Sequence, residues 1–87
     1  MKITQNATID HLRTKDAVYL RNFWYNAYYH PSRFAKGKGS RKYVMELANF
    51  ASNLSTYLLC EQDIYKDIAE KCAESAQKIL AKYGEEK

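Results

Sequence analysis

At 87 residues the chain is long enough for one small domain, and a domain of that size buries only about 60 to 65% of the surface its unfolded form exposes. A deep cleft with its own supporting shell does not fit, so a binding module or a subunit with sites between copies is expected over a solitary enzyme. The net charge of +4 hides an asymmetry: residues 1 to 43 carry nine basic side chains against two acids, +7, and residues 44 to 87 carry five against eight, −3. Such a dipole points to an anionic partner at the N-terminal half, or to like molecules meeting positive end to negative side.

Cys60 and Cys72 are the only cysteines, both near apolar helical positions, and read as reduced packing residues. No Cys/His spacing suggests a metal site, and no cofactor is expected. The opening MKITQNATIDHL has no apolar signal region, and no stretch approaches the length of a membrane span. A cytoplasmic location with no membrane partner follows as the expectation.

In chain order, helix is expected over 8–28. It starts near Thr8 to Asp10, with a second start signal at Thr14-Lys15-Asp16-Ala17. Ala17, Leu20, Phe23, Trp24, Ala27 and Tyr28 fall on one helical face. Pro31 ends the helix, because proline disfavours the α conformation at His30. A basic loop, 31–40, follows as PSRFAKGKGS, with Ser40 expected to cap the next helix.

The second helix, expected over 41–59, is apolar at Tyr43, Leu47, Phe50, Ala51, Leu54, Tyr57 and Leu58. Asp63 opens a third, 63–83, through Ile64, Ile68, Cys72, Ala76, Ile79, Leu80 and Tyr83, which Gly84 stops. The fold class is all-α: one domain over 1–87, an N-terminal helix followed by a long antiparallel helical hairpin. Val44, Met45, Ala48 and Ala69 extend the apolar surface beyond one stripe, so a homo-oligomer is expected.

The candidate site is where rings meet cations. Tyr28, Tyr29 and His30 end the first helix beside Lys36, Lys38, Arg41 and Lys42, and Tyr43 follows at once. Aromatic faces stack on nucleobases, and Lys and Arg neutralise phosphate. One of Tyr28 and Tyr29 is expected in the core and the other free to stack. Gly37 and Gly39 precede a helix start, where backbone amides favour an anion. GKGSRK is not a Walker loop, and Ser40, Ser52 and Ser55 lack linked His and Asp partners, so no catalytic residue is assigned.

The segment YYHPSRF, the Arg41-Lys42-Tyr43 opening of a long helix, the ending Leu58-Leu59-Cys60 and the Ala-rich IAEKCAESAQKIL together resemble the anti-CBASS cyclic-oligonucleotide sponges, a family of small phage proteins. The similarity runs from Tyr28 to Tyr83. Ser32 stands where the family often has a second proline, and Glu61 replaces the usual proline after Cys60. The resemblance implies an oligomeric binding protein, not an enzyme, that sequesters cyclic dinucleotides such as cyclic GMP-AMP, with cyclic trinucleotides as a further ligand class. It places Tyr29, His30, Arg41 and Tyr43 at the ligand; Lys36, Lys38 and Lys42 join them on charge. The alternative expectation is a small basic RNA- or DNA-binding phage regulator or antitoxin-like protein, using the same positive half on a polymer backbone.

Overall fold

Two N-cap side chains divide the first helical segment. In a computed structural model of the protein, which describes residues 4–5 and 8–83, Thr8 accepts from the His11 amide at 3.1 Å and Asp16 from the Tyr19 amide at 2.9 Å. Each starts its own helix, α1 over Ile9–Arg13 and α2 over Ala17–Tyr29. The helix expected over 8–28 is interrupted at the second start signal and forms two helices. The second start signal at Asp16 prevails because a residue that caps has extended backbone, ψ 175°, and cannot sit inside a helix.

After α2, Pro31–Arg33 form a 3₁₀ turn and Ala35–Lys36 a two-residue strand, β2. It pairs antiparallel with β1, Thr4–Gln5, with Thr4 opposite Lys36 and Gln5 opposite Ala35. The loop expected over 31–40 is therefore structured. Phe34 anchors it, its ring edge-on to Phe23 at 4.8 Å.

Two long helices follow, α3 over Ser40–Cys60 and α4 over Asp63–Tyr83, joined by Glu61 and Gln62. α3 is the centre of the molecule, packed by α2 on one side and α4 on the other. Tyr43, Val44, Leu47, Ala48, Phe50 and Ala51 are all buried there. Each large apolar side chain so buried contributes about 1.5–3 kcal/mol. Val44, Ala48 and Ala69 are covered within this one chain, which removes them as grounds for an oligomer.

α4 presents a narrower face than expected. Ala69, Ala73 and Ala76, at i, i+4 and i+7, are its buried residues, whereas Ile64 and Ile68 are 60% and 39% exposed. Small side chains let α4 approach α3 closely, and at the turn there is nothing else to pack on. α2, at 13 residues, is about 20 Å long and α3, at 21, about 32 Å, so α2 leaves the last turns of α3 uncovered. Cys60 is exposed in that region and is not a packing residue. Cys72 is half-buried, and burial, reinforced by the charge of Glu46, pushes its thiol pKa up.

Glu61 closes α3 in the left-handed conformation, φ 56° and ψ 31°, a position where glycine is the usual residue. Glu61→Gly is expected to stabilise the monomer by about 1 kcal/mol, seen as a higher denaturation midpoint at unchanged m-value.

Arg13 at the end of α1 clips that helix to α4 through two hydrogen bonds to Glu70, 2.5 and 2.8 Å, and lies 5.3 Å from the Phe50 ring centroid. The hydrogen bonds from Arg13 hold the Glu70 carboxyl below its ordinary range, against a smaller opposing effect of burial. Both side chains are more than 40% exposed, so screening limits the pair to about 0.2–1 kcal/mol. A depressed carboxyl pKa stabilises the fold above its unfolded value, and that stability disappears as pH falls through the folded one. Glu70→Gln is therefore expected to be slightly less stable than the parent at neutral pH and equal to it in acid, as read by thermal melts across pH.

Candidate nucleotide-binding site

The start of α3 and the loop before it form an open surface cavity of about 350 Å³, lined by Pro31, Ser32, Ala35, Lys36, Gly37, Ser40 and Arg41. Local sequence explains its shape. Gly37 and Gly39 take φ of 109° and 81°, and this left-handed pair turns the chain from β2 directly into the helix. Gly39 is the N-cap of α3, so the expectation for Ser40 is corrected: it is the first helical residue, its side chain makes no cap bond, and it lines the cavity. The amide of Ser40 donates to the Gly37 carbonyl at 3.1 Å and that of Tyr43 to Gly39 at 3.1 Å. The first-turn amides and the dipole of a 21-residue helix both favour an anion at this end.

Of the expected site residues, Lys36 and Arg41 come together on the cavity wall. Lys38 is exposed on the glycine turn between them. Lys42 lies one step around α3 and instead lines a separate hollow of about 290 Å³ with Glu46 and Ile79. Tyr43 is only 1% exposed, and burial raises its hydroxyl pKa. A ring so enclosed cannot stack on a ligand, so Tyr43 is corrected to a core residue that supports the first turn of α3 from beneath.

Tyr28 and Tyr29 are 51% and 59% exposed. Both are out of the core, contrary to the expectation that one of them packs. Their rings meet edge to face at 5.1 Å, and Tyr25 extends the group with its ring 4.8 Å from Tyr29. Trp24, half-buried, stands 6.3 Å from Tyr28. The aromatic group sits at the exit of α2, and none of its members lines the cavity. His30 is exposed between the two features: its amide donates to the Asn26 carbonyl at 2.8 Å, and its carbonyl accepts from Arg33 at 3.1 Å. That bonding fixes the corner through the backbone and leaves the imidazole outside.

Three contributors are not evident in the sequence. Ser32 and Ser40 bring hydroxyls to the cavity, and their place in a basic loop was the one available signal. The third comes from the far end of the chain. The Tyr83 ring packs on Gly39, so closely that a Cβ there would overlap it, and the Lys82 ammonium stands 5.2 Å from the Tyr83 ring centroid. The end of α4 therefore adds a cation near the same loop. No acid occurs between Asp16 and Glu46, so α2, the loop and the first turn of α3 contribute no acidic side chain of their own.

Among the described residues, no group of three His, Cys, Asp or Glu side chains could hold a metal ion, and no helix is long and apolar enough to cross a membrane. No protein-family model, curated protein or solved structure matches this chain.

Proposed function

We propose that the protein binds cyclic di- and oligonucleotides at the loop–α3 junction and sequesters them without cleaving them. The observation that carries this reading is the cavity itself. Lys36 and Arg41 flank it at the start of a long helix, two serine hydroxyls and the glycine turn complete the wall, and half-exposed tyrosines stand at the adjoining helix end. Its volume lies at the lower end of the range for small-ligand sites, and two cations match two phosphates.

With the resemblance of YYHPSRF and Arg41-Lys42-Tyr43 to the anti-CBASS sponges, the biological role that follows is phage counter-defence in the host cytoplasm. The protein would keep the messenger from its effector. Ligand sites completed between copies, with the α3–α4 pair as the rigid hairpin that carries them, belong to the same reading.

The test is calorimetric titration with cyclic GMP-AMP and related cyclic di- and trinucleotides, followed by denaturation and recovery of the ligand. Micromolar or tighter binding with chemically intact ligand is expected. Absence of binding, or recovery of a linear product, would remove the reading. The length of the acid-free stretch, residues 17–45, favours one second reading, RNA or DNA binding, and salt dependence separates the two. A cyclic dinucleotide releases few counterions, whereas a polymer engaging six or more phosphates loses affinity by orders of magnitude between low and moderate salt.

A further inference from the structure

Among the described residues two apolar surfaces stand exposed, and they carry opposite charge. On α2, a rotation of about 100° per residue aligns Val18, Asn22, Tyr25 and Tyr29 on the side opposite buried Leu20, Phe23 and Ala27. Val18 is 70% exposed and Tyr25 57%, Arg21 flanks them, and no acid lies on the helix. At the α3–α4 turn, Leu58, Leu59, Ile64 and Ile68 are 45%, 67%, 60% and 39% exposed, amid Glu61, Asp63 and Asp67 against Lys66 and Lys71. A scattered exposed leucine needs no explanation, but two clusters of large apolar side chains do.

We infer that the α3–α4 turn of one copy docks on the outer stripe of α2 of a second copy. Charge decides between the possible pairings. Turn against turn would set two net-acidic surfaces together, and stripe against stripe would join two surfaces that carry Arg21 and no acid. Turn on stripe joins apolar to apolar while bringing the turn carboxylates to the basic side. Glu61 supports this reading, because a carboxylate is kept there in a left-handed conformation that glycine would adopt without strain. Each patch offers on the order of 300 Å² of apolar surface. A single contact of that size is at the low end for a specific interface, but the contact is heterologous, so every copy makes it twice and the assembly grows until a ring closes. The inference does not depend on the nucleotide reading.

Two variants test it. Leu59→Ser with Ile64→Ser disables the turn, and Val18→Ser with Tyr25→Ser disables the stripe. All four positions are exposed, so circular dichroism is expected to show an unchanged fold. By sedimentation velocity the parent is expected to form species larger than a dimer at micromolar concentration, and each variant alone to be monomeric. Unlabelled stripe variant added to isotope-labelled turn variant is then expected to shift amide resonances along the Val18–Tyr29 side of the labelled protein, because each partner keeps one intact surface. A monomeric parent, a variant that assembles like the parent, or a mixture without those shifts would overturn the inference. So would a stripe variant that assembles normally but loses binding to a single-stranded oligonucleotide, which would assign the stripe to nucleic acid.

Discussion

Reversing the charge of both cavity cations, Lys36→Glu with Arg41→Glu, is expected to weaken binding of cyclic GMP-AMP at least 100-fold while leaving the fold intact. Hydrogen bonds to a charged group contribute about 1.5–3 kcal/mol each. Loss of two such contacts is about 3 kcal/mol or more, and each ten-fold change in affinity corresponds to about 1.4 kcal/mol. The carboxylates would also repel the phosphates. Both side chains are exposed, so the core has no reason to respond. The matched control is Lys66→Glu with Lys71→Glu on α4, which changes net charge by the same amount away from the cavity. Calorimetry on this pair is expected to give an affinity within a few-fold of the parent. Equal losses in both double variants would mean that overall charge, and not this cavity, attracts the ligand.

Gly39→Val is expected to lower the melting temperature by roughly 10–25 °C, the shift that corresponds to about 2–4 kcal/mol in a domain of this size. Two effects combine. At φ 81° a side-chain-bearing residue is strained by about 1–2 kcal/mol, and β-branching makes the position worse. The added Cβ also falls within the Tyr83 ring, where overpacking costs about 1–3 kcal/mol unless that ring moves away. The second contribution can be isolated. In a double-mutant cycle with Tyr83→Ala, the combined variant is expected to be more stable than the sum of the single effects predicts, by about 1 kcal/mol or more. Strict additivity would show that the ring does not restrain the glycine turn.

Much of the helical order was legible because burial leaves a 3.6-residue rhythm. The expected helix over 63–83 coincides with α4, and α3 differs from expectation by one residue at each end. What the rhythm could not show was which of two adjacent faces would win. Ile64 and Ile68 look as core-like as Ala69 and Ala73, yet the alanines are the residues buried where α4 packs on α3, and the isoleucines stay exposed beside the turn. Tyr43 presents the same ambiguity in one residue. It stood both on the apolar stripe of its helix and in a motif next to the basic loop, and the core claimed it.

The site was legible only in part. Lys36 and Arg41 stood out as cations around alternating glycines. Pairing of Thr4 with Lys36 and packing of Tyr83 on Gly39 join residues far apart in sequence, and no local pattern encodes such contacts.

Those last two contacts have a practical consequence. Residues 4–5 and residue 83 both rest on the 35–39 loop, so positions near the opposite ends of the chain meet at one pole of the molecule, and the Glu61-Gln62 turn lies at the other. Chains whose outer segments meet tolerate rewiring at an exposed turn. A short flexible linker across the pole, with new ends opened between Glu61 and Gln62, would keep every helix in place and turn the basic loop into an internal segment. Fluorophores placed on either side of that linker would then sense the loop from both sides, making the rewired chain a reporter of its own ligand.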